Sequence, residues 1–151
     1  MDAYAEKKNR HQKEVNGFPM FFAFTNDQFN AGMKKLGLNQ EDTDKIYKLG
    51  NTGGYYRRDD AENLHGMFER HRSEMQAAIE ADKKGNGFIF QMFHYELANH
   101  EYVVTGDLTD TLNALGLTME DVQNSKPLSN GLNKAITKVE KEYMNAKTKR
   151  R

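Results

Sequence analysis

The residue types that could support chemistry are concentrated in the string HYELANHEY, residues 94–102. Glu96 and His100 are four residues apart, and successive helical side chains turn by about 100°, so a helix would place both on one face. That face also carries the apolar residues of the preceding FIFQMF string, so both polar groups should point toward the core. An unpaired buried carboxylate is costly, and we therefore expect Glu96 to be hydrogen-bonded to His100 or to a third group.

The candidate third group is His71, which lies on the apolar stripe of another long helical pattern, and Asn99 flanks the pair. One interpretation is an acid–base or metal site built from Glu96, His100, His71 and Asp107. The other is a structural lock, a buried polar cluster of His71, Glu96, Asn99 and His100 that fixes two helices. HEXXH and a zinc-deaminase cysteine pair are both absent, so the sequence favours the lock and predicts no metal and no cofactor.

A second candidate is the string YYRR, which consists of Tyr55, Tyr56, Arg57 and Arg58. Aromatic rings beside arginines can stack on bases and hold phosphates, and the same string suits an edge strand with alternating faces. The preceding GNTGG, residues 50–54, could offer backbone amides to a phosphate. It lacks GK[ST] and is more typical of a turn that needs positive φ.

The elements that must position these residues follow from periodicity and caps. Residues 2–15 predict a polar helix, and the aromatic run 18–24 predicts a strand. Thr25 is a suitable N-cap for a helix that Gly37 ends. A short acidic helix is expected near residues 41–48. The clearest pattern predicts a helix over residues 60–82.

Further along, residues 88–101 predict a helix and EYVV predicts a brief strand. Thr105 should cap the next helix, and the last helix, beyond Pro127, should bury a stripe that includes Tyr143. The strings around Leu36 and Leu115 align, so a duplicated strand–helix unit could bring two strands into one sheet. The predicted fold class is α+β, mostly helical with a small two- or three-stranded sheet.

Composition limits the class of protein. The 151 residues include no cysteine and no apolar run of membrane-spanning length, which predicts one soluble cytoplasmic domain without disulfides. We expect an N-terminal helix over 1–16, a core over 18–146 and a basic tail over 147–151. The net charge is zero, but residues 134–151 hold seven Lys or Arg against two Glu, and residues 15–133 sum to −6. The basic end suits either a nucleic-acid contact or a solvated helix terminus.

The strings GFPMFFAF, GFIFQMFHYELANHEYVVTGD and ALGL resemble an uncharacterised family of small proteins found in phages, prophages and other bacterial mobile elements. The resemblance covers Phe18 to about Leu132, with YELANHEY as its most specific part. It implies no catalytic residue. It implies a setting in which small accessory proteins bind and inhibit host proteins, CRISPR-type defence nucleases among them.

Three functions follow as hypotheses. The leading one is a noncatalytic accessory protein whose acidic body binds a host protein, such as a defence nuclease, in place of nucleic acid. The alternatives are a small enzyme or nucleotide or metal binder that uses Glu96 and His100, and a nucleic-acid-binding protein that uses residues 55–58 and the basic C-terminus. The sequence leaves the oligomeric state open.

Overall fold

The computed structural model describes residues 1–149. The protein is mostly helical with one three-stranded antiparallel sheet, which confirms the predicted α+β class. Short 3₁₀ turns cover Thr43–Lys45 and Arg58–Asp60. The regular elements are α1 (Ala3–Asn16), β1 (Met20–Phe22), α2 (Asn26–Lys35), β2 (Ile46–Leu49), β3 (Gly54–Arg57), α3 (Ala61–Ala81), α4 (Phe88–Asn99), α5 (Tyr102–Thr105), α6 (Thr109–Ala114), α7 (Met119–Gln123) and α8 (Lys126–Lys149).

The chain forms two compact units. The helical unit comprises Met1–Arg10 and the chain from Glu74 onward, and the sheet unit comprises His11–Ser73. Helices α1 and α3 each contribute residues to both units. The single domain over residues 1–151 stays a prediction.

In the sheet unit the strand order is β1-β3-β2. Side chains alternate between the two faces of a strand, and one face carries Phe21 and Tyr55, which pack with Met33 of α2. The other face carries Met20 and its cross-strand partner Tyr56, which pack with Leu64 and Met67. Thr25 caps α2 as predicted, its side chain accepting from the Gln28 N–H. The sheet is therefore covered by α2 on one face and by the start of α3 on the other.

The core of the helical unit lies where α4 packs along α8. Phe93 and Leu97 of α4 are fully buried there. Gly131 allows the close approach, because a Cβ at this position would lie 2.5 Å from Ile89 Cγ2 and 2.8 Å from the Gly85 carbonyl oxygen. Any larger residue at 131 would have to separate these two helices.

Two predicted elements were wrong. The acidic helix near residues 41–48 is instead a 3₁₀ turn followed by β2, because Ile46–Leu49 pairs with β3. The EYVV strand is instead α5, whose residues bond locally, with the Thr105 N–H donating to the Glu101 carbonyl. Of the described residues, only the sheet unit contributes strands. The β-branched side chains at 103 and 104 therefore have no neighbouring strand to pair with.

The predicted duplication is limited to a helix ending and the turn that follows it, where the Asn39 N–H donates to Asp42 and the Thr118 N–H donates to Asp121. Gly37 and Gly116 both have positive φ, 76° and 67°. After each glycine, a leucine N–H donates to the carbonyl of the residue five positions earlier, from Leu38 to Met33 and from Leu117 to Leu112. The strand and the threonine cap are not repeated, since Leu108 and not Thr105 precedes α6. The similarity between the strings around Leu36 and Leu115 therefore reflects a shared helix C-terminal conformation, the Schellman motif.

The last helix also differs from expectation. Val139 is its last buried residue, and Tyr143 is 43% exposed although we expected it in the core. Residues 140–149 are exposed helix. The predicted basic tail thus begins within α8, while Arg150 and Arg151 lie outside the described residues. No helix in residues 1–149 has the length and apolarity needed to span a bilayer.

Candidate functional site

The carboxylate of Glu96 is buried in the helical unit, as its position on the apolar face of α4 predicted. Its side chain is only 1% exposed. The Tyr4 hydroxyl donates to Oε2, and Lys8 Nζ lies 2.7 Å from Oε2 and 3.0 Å from Oε1. The carboxylate is therefore paired with a cation and a neutral donor, both from α1.

The Tyr4 side of this cluster is built from rings. Tyr4 meets Phe88 and Tyr95 edge to face, at centroid distances of 5.6 and 5.5 Å. Lys8 Nζ lies 4.7 Å from the centre of the Tyr95 ring, within cation–π range. Burial, reinforced by the hydrogen bond to Glu96, raises the pKa of the Tyr4 hydroxyl well above its ordinary value. Tyr4 therefore stays protonated and acts as a donor over the physiological pH range.

His100 lies next to Glu96 but does not hydrogen-bond to it. The distance from Nε2 to Glu96 Oε1 is 3.8 Å, beyond hydrogen-bond range, and this buried nitrogen has no other hydrogen-bond partner among the described residues. Asn99 is exposed, so its predicted place in the buried cluster was wrong. Asn99 is the last residue of α4 and His100 is its C-cap, so the helix ends at this pair.

His71 belongs to a different cluster, in the sheet unit. Its Nε2 lies 2.9 Å from Glu14 Oε1, and its ring stacks on His11 at 3.9 Å. Arg70 also donates to the Glu14 carboxylate. Hydrogen bonds from His71 and Arg70 lower the pKa of Glu14. We expected His71 to be the further partner of Glu96, but Tyr4 and Lys8 take that place and His71 pairs with Glu14.

This arrangement favours a structural role for Glu96. A general base must come within hydrogen-bond reach of the proton that it abstracts. To reach the Glu96 carboxylate, a substrate would have to displace Tyr4 or Lys8. Within residues 1–149, no group of three or more His, Cys, Asp or Glu side chains is arranged to hold a metal ion. The observed cluster joins α1 to α4, whereas the predicted lock joined the helix of His71 to α4. A structural role for Glu96 stays a prediction.

The YYRR string occupies β3, which is the central strand of the sheet and not an edge strand. Tyr56 is 5% exposed, and Tyr55 stacks on Phe21 in the core of the opposite face. Arg57 is bound to Asp60 at 2.8 Å. The predicted alternation of side chains between the two faces of the strand is confirmed, and both tyrosine rings are in packing contacts.

Arg58 is the member of that string nearest to an exposed ring. Its guanidinium lies 4.6 Å from the centre of the Tyr47 ring. Tyr47 is 43% exposed, and on the same sheet face Phe22 is 53% exposed. Phe24, which follows β1, is 78% exposed and lies against the backbone at Gly53. The sheet unit therefore presents exposed aromatic rings beside a cation.

The helical unit contains a long stretch of chain without cationic side chains. No Lys or Arg occurs between Lys84 and Lys126. Within this stretch, residues 97–125 form what we call the acidic segment, which spans α5, α6 and α7. Its five carboxylates are all exposed: Glu101, Asp107, Asp110, Glu120 and Asp121.

A cleft of about 750 Å³ adjoins the acidic segment within the helical unit, and we call it the α3–α7 cleft. It lies between the end of α3, the start of α4 and the corner that joins α7 to α8. Its lining residues are Gln76, Ile79, Glu80, Asp82, Lys83, Ile89, Gly116, Leu117, Asp121, Asn124, Ser125, Pro127 and Leu128.

A family model describes most of the chain. A family of unknown function, DUF7659, matches residues 3–138. The chain belongs to this family. The DUF7659 match includes the Tyr4, Lys8 and Glu96 cluster and the whole acidic segment, and it ends one residue before Val139, the last buried residue of α8. No curated protein and no solved structure shows significant similarity to this DUF7659 member.

Sequence reasoning missed Tyr4 and Lys8, the two residues that satisfy Glu96. A signal was present in α1, which is polar throughout except for its alanines, Tyr4 and Val15. Tyr4 and Lys8 are four residues apart and so share one face of the helix. An aromatic ring in an otherwise polar helix marks the position that packs against the core. Its pairing with a residue 92 positions away is not readable from local pattern.

Proposed function

We propose that the protein is a noncatalytic accessory protein that binds a basic protein surface of the host through its acidic segment. The proposed outcome is inhibition of a defence nuclease, such as a CRISPR-type effector, whose nucleic-acid groove the carboxylates would occupy. The observation that carries the proposal is that the acidic segment has five exposed carboxylates and no Lys or Arg. Surfaces of one sign attract partners of the opposite sign and speed their association.

Two of these carboxylates are fixed by local bonds. Asp107 accepts hydrogen bonds from the N–H and the hydroxyl of Thr109, and these bonds lower its pKa. Asp121 accepts from the Thr118 N–H, 2.9 Å away, in a capping box. Groups held in place before binding lose less conformational freedom when a partner arrives. These two charges are thus fixed in orientation before the partner binds.

Apolar side chains are exposed among the charges. Val104 of α5 is 70% exposed and Met119 of α7 is 44% exposed. Protein interfaces combine a small apolar centre with a polar rim, and methionine is enriched in them. A set of carboxylates with exposed apolar side chains among them is more typical of a protein-binding surface than of a surface that contacts only water.

The test compares two triple variants with the same change in net charge. The first neutralises the acidic segment at positions that make no cap bond, with Glu101→Gln, Asp110→Asn and Glu120→Gln. The control neutralises exposed carboxylates of the sheet unit, with Asp59→Asn, Glu62→Gln and Glu69→Gln. Each tagged protein is purified from the bacterial host, and partners are identified by mass spectrometry.

We expect the wild type and the control to retain one nucleic-acid-binding protein in stoichiometric amount and the first variant to lose it. The complex should weaken steeply with added salt, and guide or target nucleic acid should displace the protein. Nuclease activity of the partner should fall when the complex forms. Absence of a stoichiometric partner, or equal retention by both triple variants, would reject the proposal.

A second candidate function is binding of single-stranded nucleic acid by the sheet unit. The observation behind it is the exposed set Phe22, Phe24 and Tyr47 with Arg58 beside it, since exposed rings and cations form stacking platforms for bases. The sheet unit holds nine Lys or Arg and nine Asp or Glu, so it lacks the positive field that would strengthen such binding.

A mobility-shift titration with a 20-nucleotide single strand at low salt tests this second candidate. Phe22→Ser with Phe24→Ser should abolish a shift seen with the wild type. Deleting Lys147–Arg151 separates a contribution of the basic end from that of the rings. No shift with wild-type protein would eliminate the candidate.

A further inference from the structure

The α3–α7 cleft combines an apolar floor with a charged rim. Ile89 and Leu128 are 1% and 8% exposed and form its floor. Ile79, Leu117 and Pro127 are half-buried and form its walls. Its volume, about 750 Å³, suits a small ligand or one large side chain with its neighbours, since binding pockets commonly measure roughly 300–1,000 Å³.

The charge around the cleft is mainly negative. Glu80, Asp82 and Asp121 line it, against one cation, Lys83. The 21-residue helix α3 also ends here, and the C-terminal end of a helix carries partial negative charge. An anionic ligand would meet repulsion, and a purely apolar one would strip water from the carboxylates without replacing it. A ligand with an apolar stem and a cationic head fits both parts.

The three carboxylates differ in how much they are already engaged. Asp82 accepts from the backbone N–H groups of Gly85, Gly87 and Ile89, each at 3.0 Å, so it holds the α3–α4 connection. Asp121 accepts from a backbone N–H in its capping box. Glu80 accepts only the exposed Gln76 amide, at 3.1 Å, among the hydrogen bonds within the described chain. Glu80 and Asp121 are therefore the carboxylates best placed to receive a new cation.

We propose that the α3–α7 cleft binds an arginine side chain presented by the basic surface of the partner protein. The inference rests on the proposed function and names the anchor by which the acidic segment, through Asp121, is joined to its target. Arginine buries its methylene stem along apolar walls while its planar guanidinium forms paired hydrogen bonds with carboxylates. An anchor residue seated in a pocket is where binding energy concentrates in protein interfaces.

The first test uses a small probe and no partner. N-acetyl-arginine-N-methylamide is titrated into protein carrying ¹³C-labelled methyl groups, beside the citrulline analogue, which has the same shape without the charge. We expect saturable shifts at the methyl groups of Ile79, Leu117 and Leu128, with the citrulline analogue about tenfold weaker because it lacks the charge-assisted hydrogen bonds.

Charge-neutral variants sharpen this test. Glu80→Gln should weaken binding of the arginine probe roughly two- to fivefold, the range for an exposed ion pair. Glu140→Gln, an exposed glutamate of α8 in the same unit, should leave binding unchanged. Equal affinity for both probes, shifts confined to other residues, or an unchanged affinity in Glu80→Gln would overturn the inference.

The second test places the cleft in the complex. Glu80→Lys should release the host partner, and the matched charge reversal Glu140→Lys should retain it. Retention of the partner by Glu80→Lys while the acidic-segment variant loses it would refute the cleft as anchor and leave the proposed function intact. Probe binding with no recoverable protein partner would reject both the partner-borne arginine and the proposed function.

Discussion

Removing the Tyr4 hydroxyl tests the assignment of Glu96 as part of a structural lock. Tyr4→Phe keeps a ring that is 2% exposed and deletes only the group that donates to Glu96. A hydrogen bond to a charged group contributes about 1.5–3 kcal/mol to the free energy of unfolding. Lys8 remains bound to the carboxylate at 2.7 Å, which favours the lower part of this range. We expect a loss of about 2 kcal/mol.

At 151 residues, each kcal/mol corresponds to roughly 2–4 °C in melting temperature, so the expected drop is about 4–8 °C. The double variant Tyr4→Phe with Glu96→Gln should cost less than the sum of the singles, by about 1 kcal/mol or more, since the partners share one interaction. The coupling energy between His100→Ala and Glu96→Gln should be smaller than that between Tyr4→Phe and Glu96→Gln. The reason is that its Nε2 is 3.8 Å from the carboxylate.

The assay is urea and thermal unfolding followed by circular dichroism. Tyr143→Phe is the matched control, because that ring is 43% exposed, and it should change stability by less than about 0.5 kcal/mol. A Tyr4→Phe variant as stable as this control would refute the reasoning, as would an additive cycle between Tyr4 and Glu96.

The same variant has a signature at alkaline pH. The folded pKa of Tyr4 is raised above its ordinary value of 10.0, so the folded state retains a proton that the unfolded chain releases. The corresponding stability is fully present below about pH 10 and is lost as the pH rises further. Between pH 9 and 11.5, wild-type stability should fall more steeply than that of Tyr4→Phe. Parallel curves would contradict the buried hydroxyl.

Three further outcomes follow from the described contacts. The pKa of Glu14 is lowered by His71 and Arg70, so its contribution to the free energy of unfolding is present above pH 4.5 and is lost as the pH falls. In thermal melts between pH 6 and 3, Glu14→Gln should therefore lose less stability than the wild type. Gly131→Ala should destabilise the protein in urea melts despite the better helix propensity of alanine, because the new Cβ would lie 2.5 Å from Ile89. Gly66→Ala, whose Cβ would meet open space, should instead stabilise the protein by about 0.5–1 kcal/mol. Deleting Lys147–Arg151 should leave the melting temperature within about 1 °C, since residues 147–149 are exposed.

The elements that could be predicted are those whose information is local. Helix α3 carries a full apolar stripe and α2 begins at a threonine cap, and both were predicted within one or two residues. Strand β2 was mistaken for a helix because its flanking Asp and Lys residues suit a helix, whereas pairing with β3 decides its conformation. Such pairing depends on residues that are distant in sequence.

The same limit applies to the site. Burial of Glu96 could be predicted, because it depends only on the spacing of α4. Its partners could not, since Tyr4 and Lys8 are 92 and 88 positions away. His71 was a reasonable candidate from its place on a buried stripe, but Glu14 and His11 pack beside it. A helical stripe predicts which side chains turn inward and does not predict which of them meet.

The absence of cations between Lys84 and Lys126 also governs how this protein can be mapped in solution. Trypsin cuts after Lys and Arg but not before proline, and Pro127 follows Lys126, so a digest leaves residues 85–134 as one fragment that holds α4 through α7. Lysine-directed cross-linkers and acetylation have no target in residues 85–125. Footprinting of the acidic segment therefore requires carboxyl-directed labels or glutamyl endopeptidase. A lysine-directed experiment would give no signal from this segment even if it formed an interface.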